Sequence, residues 1–257
     1  MFRLFVPRRF PIVRFYSVMQ EPLIKKTKSD IMESFAKQTS QIPIPKKPLV
    51  WVDCEMTGLD VFGDDNIIEI CCIITNEDLD IVDEKGYEST IYYPKSRLDK
   101  MNEWCIETHG KSGLTEKILA NPDRKLSAVE DELLQYIKKY VPEIRTGLLA
   151  GNSVHMDRFF MMKEFPKVID HLHYRNVDVS SIMEFGYRHN PKLMKMSPKK
   201  TGAHTAKSDI LESIEQLKWY RKYYFKSEEE TKETVERLSS ELPEEVSEDA
   251  NSETNKE

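Results

Sequence analysis

Residues 49–56 (LVWVDCEM) form a nearly unbroken apolar run carrying two acids, the pattern of a central strand covered on both faces. Residues 67–75 (IIEICCIIT) are rich in β-branched side chains and predict a second strand. Residues 80–93 hold an Asp-Glu-Lys-Gly turn between two short β-like runs, which predicts a hairpin completing three antiparallel strands. Ser127 followed by Glu130 has the S-x-x-E capping-box form and predicts a helix to about Tyr140, stopped before Pro142. Residues 148–153 read as a short strand and 156–163 as a helix ending before Pro166. Residues 174–179 read as the last strand, followed by a helix through Arg188. From Ala206, the residues Ile210, Leu211, Ile214 and Leu217 recur at helical spacing, giving a long final helix that ends near Tyr224. The order β-β-β-α-β-α-β-α predicts an α/β fold. Its mixed five-stranded sheet has three antiparallel strands, then two parallel, flanked by helices.

Composition sets limits on this picture. The 257 residues are 39% hydrophobic, enough to bury a sizeable core, and 32% charged. No stretch approaches the ~20 unbroken apolar residues of a membrane helix, so no membrane association is expected. The four cysteines (Cys54, Cys71, Cys72, Cys105) form no C-x-x-C pair, which argues against a zinc site or a disulfide framework.

The net charge of -6 is unevenly spread. Residues 1–50 hold ten Lys/Arg against three Asp/Glu, and residues 226–257 hold twelve acids against four bases, leaving the stretch between them mildly acidic. Such a body is a poor clamp for long nucleic acid, which needs many simultaneous phosphate contacts. Any nucleic-acid ligand should be short or held at a small site. Residues 1–20, with four arginines and no acid, have the composition of a mitochondrial targeting segment, although Pro7 and Pro11 interrupt a helix there. A start at Met19 would omit that segment and leave a second, non-mitochondrial pool. Residues 21–47 read as a linker, 48–225 as the folded body, and 226–257 as an acidic, mostly disordered tail.

Asp53 and Glu55 lie two residues apart on the first strand, so both side chains leave the same face. Two acids within an apolar strand are costly unless something neutralises them, and a divalent cation does so. Solvated acids at a strand end are the plainer alternative. Asp157, in GNSVHMDRFF, opens a helix that Phe159 and Phe160 should pack, and Asp209 begins the final helix at the edge of its apolar face. Each, alone, is equally an acid placed on a helix dipole. Their weight comes from joining the Asp53/Glu55 pair, an oxygen-rich set that suits Mg²⁺ or Mn²⁺. His204 and Asp209 are five residues apart and would diverge by about 140° on one helix. To serve one site, His204 must sit on the loop entering the helix, where it could take a proton from water.

LVWVDCEMTGLD (residues 49–60), WCIETHGKSGL (104–114), GNSVHMDRFF (151–160), HYRNVDVSSI (173–182) and HTAKSDILESI (204–214), in that order, resemble the oligoribonuclease family. This is the DEDDh branch of 3′-to-5′ exoribonucleases, with a ribonuclease H-like fold, and the arginine-rich start is similar to its mitochondrial eukaryotic members. Thr205 stands where the tyrosine-using branch would carry Tyr.

The resemblance implies an exonuclease domain over 48–225 and places roles residue by residue. Asp53, Glu55, Asp157 and Asp209 would hold two divalent cations, with His204 as general base. Leu59 and Trp104 would sandwich bases at the 3′ end, and His109 would lie beside the scissile bond. Ser153, Arg175, Ser180 and Ser181 would cap a 5′ phosphate. Tyr174 would reach in from the second subunit of a homodimer. Met183 departs from the lysine that members often carry there. The activity implied is hydrolysis of short single-stranded RNA, down to dinucleotides, to nucleoside 5′-monophosphates. The alternatives are a trimming exonuclease acting on longer precursor RNA or DNA, or a catalytically silent RNA-binding scaffold. Lys192, Lys195, Lys199, Lys200 and Lys207 make a basic stretch around His204: a solvated loop, or electrostatic guidance for an anionic substrate.

Overall fold

The computed structural model describes residues 44–199 and 205–241. The expected targeting segment, nearly all of the expected linker, and His204 lie outside the described residues.

Strand β1 (Leu49–Met56) is the middle of a five-stranded sheet ordered β3-β2-β1-β4-β5. It pairs antiparallel with β2 (Ile67–Thr75), placing Asp53 opposite Cys71 and Glu55 opposite Glu69, and the register shifts between Glu55 and Met56. β2 pairs antiparallel with β3 (Tyr87–Thr90). On the other side, β1 runs parallel to β4 (Leu148–Gly151), and β4 parallel to β5 (Asn176–Asp178). The predicted mixed α/β sheet is therefore present.

Alternation along the strands sorts the core into two layers. Trp51, Cys71, Ile73 and Ala150 share one face with Ile210, Ile214, Leu217 and Tyr220 of the final helix. The intervening residues Val50, Val52, Ile70, Cys72 and Ile74 are equally buried, so β1 and β2 are covered from both sides. All four cysteines are buried free thiols.

Three expectations need correction. In the expected hairpin at 80–93 only the second run is a strand; the first contributes a single bridge, Ile81 to Thr75, and β3 pairs directly with β2. The Leu79 backbone at φ 67° turns the chain there. The capping box at Ser127 is not formed. Helix α4 (Leu126–Tyr140) starts two residues earlier, with Lys125 at its N-cap, while Glu130 is buried and accepts from the Lys167 backbone N–H at 2.7 Å. The acidic tail is not wholly irregular either: Glu228–Glu241 is helical with no side chain buried, its first-turn glutamates favourably placed on the dipole.

Between β3 and α4 lie three short helices the hydrophobic pattern did not announce, α1 (Lys95–Leu98), α2 (Glu103–Lys111) and α3 (Leu114–Leu119). After β4 come α5 (His155–Glu164) and α6 (Pro166–His171). After β5 come α7 (Val179–His189), α8 (Pro191–Met194), α9 (Ala206–Tyr223) and the exposed α10 (Glu228–Glu241). Among the described residues, no helix is long and apolar enough to cross a membrane.

Candidate active site

The sheet brings four acids from distant parts of the chain into one electrostatic neighbourhood. Asp53 and Glu55 are half-buried near the end of β1 on the face covered by α9. Asp209 stands in the first turn of α9, and Asp157, buried, in the first turn of α5. Asp157 Oδ1 accepts from the Cys54 backbone N–H at 2.9 Å, tying α5 to the strand between the two acids. Of the two helix-packing phenylalanines expected beside it, Phe160 is fully buried and Phe159 faces outward.

These carboxyls perturb one another strongly. Burial, then Asp53, Glu69 and Asp209, push Glu55 up to about 8. Burial and Asp53 hold Asp157 well above the usual carboxylate range, against the opposing pull of its backbone hydrogen bonds. Acids that raise each other by charge are relieved by a positive charge placed among them, and an oxygen-only donor set fits a hard cation. As the side chains stand, no three His, Cys, Asp or Glu groups among the described residues converge on one metal-sized point. The set fits by charge and oxygen chemistry, not as a closed cage.

His109, 2% exposed on α2, lies beside the cluster. Its Nε2 lies 3.0 Å from the Met56 carbonyl and its Nδ1 3.9 Å from Glu55 Oε2. A carbonyl only accepts, so Nε2 carries the proton and a neutral ring turns its bare Nδ1 toward Glu55. Burial lowers the His109 pKa and favours that neutral form. Glu69 and Glu88, on the same face as Glu55, are both held by Lys117 Nζ, at 2.7 and 2.5 Å. Sequence reading missed Lys117, because its partners lie on strands remote in the chain.

Flanking the acids are two exposed apolar side chains and a polar cluster. Leu59 is 72% and Trp104 63% exposed. Leu59 rides a loop pinned by Arg97, which donates from Nη2 to Thr57 Oγ1 at 2.9 Å and to the Asp64 carbonyl, and pairs with Asp65 at 3.5 Å. Beyond β4, Ser153 adopts a left-handed backbone (φ 51°) that aims its N–H at Asp178 Oδ1 (2.9 Å) and Ser180 Oγ (3.0 Å). Asp178 also caps α7 through the Ser180 N–H and lies 3.3 Å from His155 Nδ1. Ser153 and Ser180 are thus brought together, with the exposed Ser181 next along α7. Asp178 is the organiser that sequence reading overlooked, and its signal was a cap position two residues before a serine. Tyr174 and Arg175 are exposed; the Tyr174 ring stacks on His173 at 4.5 Å and carries the Arg175 guanidinium 5.5 Å from its centroid. Met183 packs against the α9 core layer.

Known proteins are similar to this chain in sequence and in fold. Residues 50–217 match the model of the Exonuclease family. The chain is 61% identical over 198 residues to "Oligoribonuclease, mitochondrial" of Saccharomyces cerevisiae, covering 75% of this chain and 72% of the relative. It is 50% identical over 179 residues to "Probable oligoribonuclease" of Schizosaccharomyces pombe, covering 70% and 69%. Among solved structures, E. coli Exonuclease I in complex with a dA16 oligonucleotide superposes at a TM-score of 0.51 and 13% identity, over 68% of this chain and 41% of that one, which speaks for the fold alone. With such identity sustained over most of both sequences, the chain belongs to the oligoribonuclease family of exonucleases.

Proposed function

We propose that the protein is a 3′-to-5′ exoribonuclease that hydrolyses short oligoribonucleotides, down to dinucleotides, to nucleoside 5′-monophosphates. The observation that carries this is the mutual coupling of Asp53, Glu55, Asp157 and Asp209 at the end of β1. These four would hold the cations. Two such ions, Mg²⁺ or Mn²⁺, would lower the pKa of an attacking water and offset charge on the departing 3′ oxygen.

The chain's own groups account for the remaining work. His204, which precedes α9 in sequence, would take the water's proton. His109, anchored to the Met56 carbonyl, would lie beside the scissile bond. Leu59 and Trp104 would clasp the terminal base by stacking, which tolerates any sequence. Ser153, Arg175, Ser180 and Ser181 would bind the 5′ phosphate, and the exposed Tyr174 fits a contact with a second copy in a homodimer. The arginine-rich residues 1–20 fit delivery to the mitochondrial matrix.

The test is a competition among end-labelled dinucleotides, long RNA and DNA, with and without chelator. Chelator-sensitive release of monophosphates, fastest from the dinucleotide, is expected. Preference for long RNA or DNA would favour the trimming alternative, and no cleavage of any substrate would overturn the assignment.

A further inference from the structure

Behind the acid cluster stands a second row of charge that the proposed reaction does not use. Glu55 pairs directly with Glu69 across the antiparallel β1–β2 register, so the two side chains leave the same face. Glu69 is 7% exposed and Glu55 half-buried, so solvent screens the pair poorly. Glu88 continues the row on β3, opposite Cys71, which itself lies opposite Asp53. Neighbouring strands are ~4.8 Å apart, which puts Glu69 one strand and Glu88 two strands from the acids of β1.

One lysine answers both glutamates. Lys117 comes from α3, and its Nζ lies 2.7 Å from Glu69 Oε1 and 2.5 Å from Glu88 Oε1. The three side chains line a hollow of about 280 Å³ together with Thr205, Ala206 and Lys207 at the start of α9. The hollow therefore touches both the strand paired with β1 and the helix turn that carries Asp209. A glutamate as buried as Glu69 needs a partner, and support for the sheet is one use of the bridge. Its position gives it another. A divalent ion held by Glu55 would be drawn by Glu69 and repelled by Lys117, across the short distance of a strand pair.

We infer that the Glu69–Lys117 pair sets how tightly the acid cluster holds divalent cations, with Glu69 strengthening the hold and Lys117 moderating it. Neither would be a ligand. Both act through Glu55 and are positioning residues. The inference rests on the proposed exoribonuclease function and its metal assignment.

The experiment is a calorimetric titration of Mn²⁺ into the full chain, without substrate, at pH 8. Glu69→Gln keeps the size of the side chain and should weaken Mn²⁺ binding at least about tenfold, as loss of an outer partner of a metal ligand does. Lys117→Met keeps the stem, removes the charge and should tighten binding about threefold, the effect of one partly screened charge. Lys117→Arg restores the charge and should return the wild-type affinity. The Mn²⁺ concentration for half-maximal turnover should follow the same order. A purely structural bridge would weaken binding in both variants. Shifts of the same sign, or no shift in either variant, would overturn the inference. Lys117 is 45% exposed, so its variant tests the sign even where Glu69→Gln unfolds. A wild-type protein that binds no Mn²⁺ fails the metal assignment itself, and the first titration alone tells that failure from the others.

Discussion

Glu55 gives the acid cluster a thermodynamic signature that needs no substrate. Its carboxyl is one-fifth exposed and pushed from 4.5 up to about 8 by burial, Asp53, Glu69 and Asp209. In the folded metal-free protein it therefore holds a proton that the unfolded chain has already released. Where the native state binds the extra proton, stability falls as pH rises, by about 1.4 kcal/mol per pH unit. This contribution is fully present below 4.5 and lost as pH climbs through 8. His109 acts with the opposite sign, since its lowered pKa makes stability rise with pH up to about 6.5. The informative window is therefore pH 6.5–8, where Glu55 alone predicts a loss of about 2 kcal/mol, and a melting temperature lower by about 4–8 °C for a domain of this size. Asp157, also raised, adds in the same direction. The assay is calorimetric melting in EDTA at half-unit pH steps, for wild type and Glu55→Gln. The variant should lose most of the slope and melt above wild type at the alkaline end. Added Mg²⁺ or Mn²⁺ should flatten the wild-type slope, because a bound cation replaces the proton. A flat wild-type curve, or an unchanged slope in Glu55→Gln, would refute the reasoning.

Asp157→Asn keeps an oxygen for the Cys54 N–H and removes a buried charge, so melting should hold or rise in EDTA while turnover falls at least about 100-fold; ordinary turnover in the variant would count against the metal assignment. Trp104→Ala removes a ring already mostly in solvent, so stability should move by under about 0.5 kcal/mol. KM should rise by about 5–150-fold, the range for one stacked base, and an unchanged KM would dismiss the stacking role. Arg97→Ala frees the loop that carries Leu59 from Thr57 and Asp65 and should cost about 1–2 kcal/mol in chemical denaturation. The same variant should raise KM more than it lowers kcat, and the reverse split would place the loop elsewhere in the cycle.

The sheet was legible because β1 and β2 carry their signal locally: long β-branched runs bury both faces whatever their neighbours do. The final helix was legible for a similar reason, since Ile210, Ile214 and Leu217 all face the sheet. The three helices between residues 95 and 119 escaped because they are short and bury only a few side chains each, among them Leu98, Cys105, Leu114 and Ile118, in a satellite cluster with Ile68. Two turns of helix with one apolar side chain per turn have no period to detect. The capping box failed because Glu130 had a tertiary partner, the start of α6, that outcompeted its own helix end.

The candidate site divides along the same line. Asp53 and Glu55 announce themselves, since two acids on one face of an apolar strand stand out in the local pattern. Asp157 and Asp209 look like ordinary helix-opening acids, and nothing local shows that β1 stands before both helix starts. That follows only from topology: β4 enters parallel to β1, so the helix after β4 begins where β1 ends, while α9 lies across the opposite layer and starts at the same end. A parallel neighbour and a covering helix thus deliver the second pair of acids to the first. Burial and the neighbouring acids together raise Glu55 and Asp157, and the fold tolerates this at a cost in stability that a bound cation would relieve.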